Sequence, residues 1–586
     1  MTKRNWIILS IIVTCAILLR VIPQWDKVMV DGQVWFRGVD PYWHMRLAEN
    51  MLHNFPYPQY WDWFTLYPTG GKVGFNPLMS WIIAGIGQTG ANINMVGAFL
   101  PPIAGGLTIV AVFFLAKELF SKKVAYLACI LVAILPGEFL HRTLLGFTDH
   151  HAMETLLMTT TVLFLVLMMK QGRKLWSILA GVTLGLYLLN WAGGHLLVSI
   201  LIFWFVAQIL YYRLKDIPEG NFCRNMLIVF CVSFAMYAPF MKFIYAPLFS
   251  FVPYLLAIIL PIWLWHRGTK RATLMSVLLP LGIVCFALFV SDYYRTILFD
   301  ARAVFWGGKT TIQEASPSTI NVILATTGIS FFLFISGIIT YFKQKEKSLL
   351  FIIWAIILMA ATIGQRRWGY YFTIPMAILA SYFTFYVANW MSRKTKSIAI
   401  GLVVLFTVVS SVKGTIGIAN LPNNITPDMH NTLTWLKGNS PEPYWDYQGD
   451  YYSLKIYDQP HYGVLSWWDY GHWISQIAQR SPLSNPAFQD PSIGPRFFAS
   501  ATEEEALSEI EGLDIRYILM HEDMVTSKYY AIKEKANKDT DLLDSVALKI
   551  WNNQFTGYKL VREEGKVKLY ERIIRGSQKY DYTVRN

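Results

Sequence analysis

The chain has 586 residues, of which 54% are hydrophobic, 16% aromatic and only 15% charged, with a formal net charge of +13. A globular domain carries about 25% charged residues, so this composition excludes a soluble cytosolic enzyme and a disordered chain. The five cysteines, Cys15, Cys129, Cys223, Cys231 and Cys285, lie in or beside apolar stretches; they lack disulfide or zinc spacing and read as small hydrophobes.

Up to Leu421, apolar runs near the length of a bilayer crossing alternate with short polar joints. Thirteen spans are expected, at roughly 6–23, 95–116, 124–140, 152–169, 176–194, 196–211, 226–240, 249–265, 273–290, 319–341, 349–364, 369–391 and 397–418. Lysine and arginine gather at Lys3-Arg4, Lys117 with Lys122-Lys123, Lys170 with Arg173-Lys174, Arg213 with Lys215, Arg267 with Lys270-Arg271, Lys343 with Lys345 and Lys347, and Arg393-Lys394 with Lys396. With thirteen spans these all fall on one side, and the positive-inside rule makes that side cytoplasmic. The expectation is a multi-pass cell-membrane protein with a cytoplasmic N-terminus, a transmembrane domain over 1–421 and an extracellular domain over 422–586. The net positive charge is then a signature of topology, and no nucleic-acid partner is expected. The first span is not expected to be a cleaved signal peptide.

Three external joints stand out, at 25–94, 141–151 and 291–318. The first contains Gly38-Val39-Asp40-Pro41 and also Gly85-Ile86-Gly87-Gln88-Thr89-Gly90, which matches a dinucleotide fingerprint but lacks the strand–helix context that motif needs. The second ends in Asp149-His150-His151, an oxygen and nitrogen set suited to a divalent ion; the plainer reading is a pair of interfacial histidines capping the next helix. The third holds Thr311-Ile312-Gln313-Glu314. Taken singly, Asp40 is an ordinary helix N-cap and Glu314 a solvated loop charge. Topology puts all three acids on one side of the membrane. Arg142 and Arg366-Arg367 run against the positive-inside bias, which suits either an anion such as a lipid phosphate or snorkelling to headgroups.

The outer part reads as mixed α/β. Val464-Leu465-Ser466-Trp467-Trp468 is expected as a short buried strand followed by a helix through Ile474–Ile477. Thr502-Glu503-Glu504-Glu505 is a capping box opening a helix to about Leu513. Ile515–Met520 reads as a strand, and Tyr558 to Tyr570 as a hairpin. Trp467-Trp468-Asp469-Tyr470-Gly471 places two indoles and one acceptor at a strand end, as an aromatic binding floor or as an aromatic corner of the core. Trp445-Asp446-Tyr447-Gln448-Gly449 lacks the paired tryptophan and is a decoy. Asn424-Ile425-Thr426 is a glycosylation sequon just after the last span.

These motifs closely resemble the catalytic subunit of oligosaccharyltransferase, over nearly the whole chain. Trp467 to Gly471 is similar to that family's WWDYG signature, Gly38-Val39-Asp40 to its first acidic element, Asp149-His150-His151 to its second in an archaeal form, and Thr311–Glu314 to its TIxE element. Asp523-Met524-Val525-Thr526-Ser527-Lys528 with Ile532 resembles its DK element, lengthened by two residues. The resemblance implies a polytopic α-helical membrane domain of about thirteen helices, of the GT-C glycosyltransferase type, followed by a mixed α/β external domain. It implies metal-dependent, inverting transfer of a glycan from a polyprenyl or dolichyl mono- or diphosphate to asparagine in Asn-x-Ser/Thr. It implies Mn²⁺ or Mg²⁺ on Asp40, Asp149, His151 and Glu314, with Asp40 and Glu314 catalytic. Trp467, Trp468, Asp469, Lys528, Ile532 and Arg142 would bind the acceptor, with Ile532 on the threonine methyl; Arg367 and His151 would meet the donor phosphate. A single-subunit archaeal-like enzyme without obligate partner subunits is expected. The rival reading is another polyprenyl-phosphate-sugar glycosyltransferase acting on a lipid or hydroxyl acceptor, which has no use for a Trp-Trp-Asp pocket. A transporter is disfavoured because no ionisable group stands at a span's midplane.

Overall fold

Apolar stretches in lipid must satisfy their backbone internally, and most of residues 3–243 and 320–419 are helical. The computed structural model describes residues 2–73, 76–243, 259, 313–344, 348–443, 452, 459–486 and 493–573. The expected spans 249–265 and 273–290, Cys285, Thr311-Ile312 and the decoy at 445–449 lie outside them. By its contacts the chain divides into two units: Met1–Val34, Gly74–Ile82 and Asn94–Pro422; and Trp35–Val73, Ile83–Ile93 and Asn423–Asn586. The division at 421/422 read from composition lies one residue from the start of the last segment, while most of the 25–94 loop is counted with the second unit. The aromatic residues of that loop explain this, because Trp35, Tyr42, Trp43, Phe64 and Tyr67 are all buried.

Among the described residues, seven helices are long and apolar enough to cross a membrane: Lys3–Val28, Ile93–Leu119, His151–Gln171, His195–Leu214, Gly220–Phe240, Arg366–Ala388 and Ile400–Ala419. Counting the bent pair Ile320–Thr327 and Ser330–Tyr341 as one makes eight, against the thirteen expected. Part of the shortfall is helix length. Lys174–Asn190 and Leu349–Gly364 coincide with two expected spans but have 17 and 16 residues, roughly 25 Å at 1.5 Å per residue against a hydrocarbon layer of about 30 Å. Lys122–Ile134, under the expected 124–140, has only 13, its start capped by Ser121. The expected continuous helix over 319–341 is instead two helices at 94°. Gly328 causes the break: at φ +54° it ends the first helix while its N–H still donates to the Leu324 carbonyl.

The first unit is built around Gly369–Ala388, whose residues Tyr370 to Tyr382 are buried without exception. It lies against Ser330–Tyr341, Leu349–Gly364 and Lys122–Ile134. Small residues let helices approach closely: a Cβ on Gly181 would meet Val232 at 2.7 Å, and one on Gly337 the Leu379 carbonyl oxygen at 2.5 Å. Helix Arg393–Ala419 presents the opposite character, with Ile398, Leu402, Leu405, Phe406 and Val409 all exposed. An apolar surface of that kind is what lipid covers. Cys15, Cys129, Cys223 and Cys231 are free thiols, as expected.

In the second unit a four-stranded sheet runs in the order Gly463–Leu465, Ile515–His521, Val567–Arg572, Tyr558–Glu564. The first pairing is parallel and the others antiparallel. The hairpin and the strand at 515 are as expected; the strand at 464 stops at Leu465, and a 3₁₀ turn over Trp468–Tyr470 leads into Gly471–Trp473 and a π turn over Ile474–Ala478. The Thr502 hydroxyl accepts from Glu505 N at 3.2 Å, completing the predicted cap. Asp40 is not an N-cap: the helix Asp40–Asn54 is capped by Val39, and Asp40 is its first-turn acid, exposed. Arg46 and Asp62, 1% and 0% exposed, pair through two hydrogen bonds of 2.7 Å, with the guanidinium over the Phe64 ring. Asn424 is exposed, but Ile425 is buried and the Thr426 hydroxyl accepts from Met429 N to cap Pro427–Asn439. The folded sequon is therefore not free to enter a reading pocket.

His472, stacked on Trp43 with ring centroids 5.1 Å apart, is buried. Burial, then the charges of His44 and Arg46, push its pKa down to about 3, against about 6.5 in an unfolded chain. The unfolded state thus takes up the proton first, so this contribution is complete above pH 6.5 and is lost as pH falls towards 3. At pH 5 the loss is about 2 kcal/mol. Thermal unfolding at pH 7 and pH 5 should show His472→Gln losing about 2 kcal/mol less than the parent on acidification.

Candidate active site

In the first unit the catalytic candidates sit where a buried turn meets a helix start. The Asp149 amide donates to the Phe147 carbonyl, and Asp149 Oδ1 accepts from His150 N at 2.6 Å, so the acid closes the turn that starts helix His151–Gln171. Helical spacing then brings Glu154 back over the two histidines. His150 Nδ1 lies 2.5 Å from Glu154 Oε1, and His151 Nδ1 lies 3.3 Å from the same oxygen. The other edge of His151 faces Asp149, with Nε2 3.3 Å from Oδ2. Two donors about 2.1 Å from one ion and 90–110° apart are roughly 3.0–3.5 Å from each other, so Asp149 and His151 fit a divalent ion on that edge. Asp149 is 4% exposed and Glu154 not at all.

Helix Gly369–Ala388 closes this floor. The Tyr370 and Tyr371 hydroxyls both donate to Glu154 Oε2, and the Tyr187 hydroxyl lies 2.6 Å from that of Tyr371. A chain of alternating charge runs beside it. Arg366 reaches Glu138 at 3.2 Å, Glu138 reaches Arg142 at 3.2 Å, and Arg142 pairs with Glu314. The segment carrying Glu314 is pinned by its backbone, since Ser316 accepts from Arg366 N and Ser318 donates to the Ile363 carbonyl. Burial alone would lower the Arg142 pKa and raise that of Glu314. The pair's mutual attraction outweighs it on both sides, with Glu138 adding to Arg142 and His151 to Glu314, so both groups are held charged. Arg367 differs from its neighbour. Its Nε donates to the neutral Gln365 at 2.9 Å and its guanidinium lies 5.6 Å from the Trp368 ring centre, while among the described residues no carboxylate pairs with it.

The second unit holds the Trp467–Gly471 string at the end of its parallel strand. Gly471 is required by close approach: a Cβ there would meet the Ser484 carbonyl oxygen at 2.3 Å. The Trp467 and Trp468 rings lie 5.4 Å apart, and among the described residues neither buried indole N–H has a hydrogen-bond partner. Asp469 accepts from Lys528 Nζ at 2.9 Å. Lys528 also reaches Asp523 at 3.3 Å and lies 4.5 Å from the Tyr470 ring centre, while the Tyr470 hydroxyl donates to Asp523. The two extra residues of this DK-like element are absorbed by a 3₁₀ turn, Glu522–Val525, closed by Lys528 N donating to the Asp523 carbonyl at 2.7 Å. Burial alone would raise the Asp523 pKa; hydrogen bonding from His521 and the charge of Lys528 hold it below the usual carboxylate range instead. Ile532 is fully buried, with no surface open to a ligand.

The predicted residues thus gather in two groups. Arg142, Asp149, His151, Glu314 and Arg367 belong to the first unit, and Trp467, Trp468, Asp469, Lys528 and Ile532, with Asp40, to the second. Sequence reasoning missed Glu154, Glu138 and the tyrosines at 370 and 371. The acids were signalled by spacing: Glu154 is three and four residues after the two histidines, and Glu138 four before Arg142. The tyrosines carried no such signal.

Known proteins resemble this chain over most of its length. Residues 10–417 match the family model "Oligosaccharyl transferase STT3, N-terminal", and residues 426–525 match "AglB core domain". The chain is 29% identical to dolichyl-phosphooligosaccharide-protein glycotransferase 3 of Archaeoglobus fulgidus, over 92% of this chain and 72% of that one. It is also similar to solved structures of an oligosaccharyltransferase from the same organism. One is in complex with an inhibitory peptide and a dolichol-phosphate (TM-score 0.81, 25% identity, 97% of this chain and 74% of that one). Another is in complex with Zn and sulfate (TM-score 0.77, 25% identity, 96% and 73%). The membrane-helical part followed by a globular C-terminal part is common to all of them. With a family model matched from residue 10 to residue 417, the chain belongs to the oligosaccharyl transferase STT3 family, as a catalytic subunit of the archaeal type.

Proposed function

We propose that the protein transfers an oligosaccharide en bloc from a polyprenyl or dolichyl phosphate carrier to the asparagine of an Asn-x-Ser/Thr sequon, as a single-subunit, inverting N-glycosylation enzyme. The observation that carries the acceptor half is the pair of buried, unpartnered indole N–H groups of Trp467 and Trp468 beside the Asp469 carboxylate. Two donors and an acceptor are the complement of one hydroxyl, which both donates and accepts. Lys528, bonded to Asp469, holds that carboxylate in place. Ile532 has no exposed surface, so a contact with a threonine methyl needs the helix Tyr529–Ala536 to shift.

On the donor side Arg367 is the phosphate ligand. Arg366 and Arg142 are already paired with Glu138 and Glu314, whereas Arg367, among the described residues, hydrogen-bonds only a neutral side chain and feels the Glu314 charge from further off. Asp149 and His151 would hold Mn²⁺ or Mg²⁺, and the family resemblance adds Asp40 and Glu314 to that set. Such an ion would supply positive charge to offset that of the departing phosphate. The protein's own acids work on the acceptor. An amide nitrogen is a poor nucleophile because its lone pair is conjugated, a conjugation that resists rotation by about 18–20 kcal/mol. Carboxylates accepting from its N–H groups favour the twisted amide, and the resemblance gives this role to Asp40 and Glu314. The charge of Arg142 keeps Glu314 ionised and so able only to accept. We further infer thirteen crossings, a cytoplasmic N-terminus and an extracellular C-terminal domain, from the distribution of lysine and arginine.

Three outcomes test this reading, each with purified enzyme, native lipid extract and a sequon peptide, read by mass spectrometry. Chelation should abolish transfer and Mn²⁺ should restore it; full activity in excess chelator would exclude the metal. An Asn-x-Val peptide, nearly isosteric with Asn-x-Thr, should be almost inert because it leaves the pocket's polar groups unpaired. Equal glycosylation of the two would favour the rival reading of a glycosyltransferase for another acceptor. Arg367→Ala removes a charge-assisted contact worth about 1.5–3 kcal/mol. It should weaken donor use tenfold or more and leave peptide affinity unchanged.

A further inference from the structure

Glu154 has no part in the transfer as described, yet it is the most buried carboxylate of the first unit's site, with one oxygen held by two hydroxyls and the other close to two ring nitrogens. Its Oε2 takes the Tyr370 hydroxyl at 2.9 Å and that of Tyr371, which is itself backed by Tyr187. Turning the acid away would leave the buried Tyr370 hydroxyl unsatisfied and Tyr371 with Tyr187 alone. Its Oε1 faces ring nitrogens only: Nδ1 of His150 at 2.5 Å and Nδ1 of His151 at 3.3 Å. The opposite edge of the His151 ring is the one that meets Asp149, with Nε2 3.3 Å from Oδ2. The ring therefore stands between two carboxylates, one at each nitrogen. A neutral imidazole has one N–H and one lone pair. A carboxylate at Nδ1 favours the N–H there, and so leaves the lone pair on the nitrogen that faces Asp149.

We propose that Glu154 is a positioning residue for metal binding, fixing the ring angle and tautomer of His151 so that Nε2 is offered as a ligand beside Asp149. This rests on the reading of Asp149 and His151 as metal donors. Histidine ligands are commonly oriented by an acid on their second nitrogen, and loss of that acid lowers metal affinity about 10–100-fold. Direct ligation by Glu154 to the same ion is disfavoured, since its free oxygen lies on the Nδ1 edge of the ring that would ligate through Nε2. Tyr370 and Tyr371 act one step further back, as the anchors of Glu154.

The test is the Mn²⁺ affinity of the full-length protein in detergent, with free Mn²⁺ read by electron paramagnetic resonance. Glu154→Gln should bind Mn²⁺ about 10–100-fold more weakly and should regain full occupancy, with transfer, at high Mn²⁺. Tyr371→Phe, which frees Glu154 on one side at nearly constant volume, should show a smaller loss in the same direction. Unchanged affinity in Glu154→Gln, or in Tyr371→Phe should the glutamine variant not fold, overturns the proposal. So does a Glu154→Gln protein that binds no Mn²⁺ at any concentration, which would make Glu154 a direct ligand. His151→Ala separates the two levels of the argument: if it binds Mn²⁺ as tightly as the parent, the metal assignment itself fails.

Discussion

A carboxylate inside a bundle of apolar helices has no water to hold it, and isolated burial of its charge is prohibitively unfavourable. The first unit meets this constraint with polar partners drawn both from a neighbouring helix and from the same turn. Glu154 is met by two tyrosines from Gly369–Ala388 and two histidines from its own first turn. Because those tyrosines can only be presented by a helix that passes through the middle of the unit, burial of that helix on every side and placement of the acid are one requirement. A bundle this apolar gains little from burying apolar surface against lipid. The donor–acceptor matches and the glycine-mediated close approaches therefore bear more of its specificity.

The same rule explains the row of charges from Arg366 through Glu138 and Arg142 to Glu314. Each inner member faces an opposite charge on both sides. Removing either inner member, Glu138 or Arg142, strands an outer one, and breaking a buried pair costs about 3–5 kcal/mol where both partners are desolvated. Arg142, 5% exposed, is a buried inner member, while the outer members Arg366 and Glu314 are 38% and 44% exposed. A row buried in its middle and open at Glu314 suits a carboxylate that must be kept ionised and still reach a substrate.

Much of this was legible in the sequence, for reasons that can be stated residue by residue. Asp149, His151 and the Trp467–Gly471 string are contiguous motifs, and the hairpin at 558–570 has a period-two pattern with a glycine turn, so each needed only local information. The helices were visible as apolar runs. Their ends were not, because breaks such as Gly328 and caps such as Ser121 are short-range events inside long hydrophobic stretches. Asp40 was misread as a cap because proline at the next position suits the first turn whichever residue precedes it. The choice between Arg366 and Arg367 was illegible in principle. It depends on Glu138, which is 228 residues away from Arg366. Tyr370 and Tyr371 carry no signal in the sequence, and only the meeting of two helices gives their hydroxyls a partner.

The tryptophan pair in the second unit departs from the rule of matched polar groups: among the described residues neither indole N–H has a partner. Two buried indole N–H groups without partners are unfavourable by about 1–3 kcal/mol each, and the fold has not relieved this by turning them to water or to a backbone carbonyl. Unsatisfied donors persist where the surrounding structure fixes them, and here it does. Trp467 is buried at the end of a parallel strand, Gly471 is locked against Ser484 and Asn485, and Asp469 is tethered through Lys528. A hydroxyl entering between indoles and carboxylate relieves the mismatch, while a methyl of equal size seals it in. On the proposed acceptor reading, selectivity for a hydroxyl comes chiefly from these two unpaired donors, and the rigidity that keeps them unpaired is what recognition would depend on.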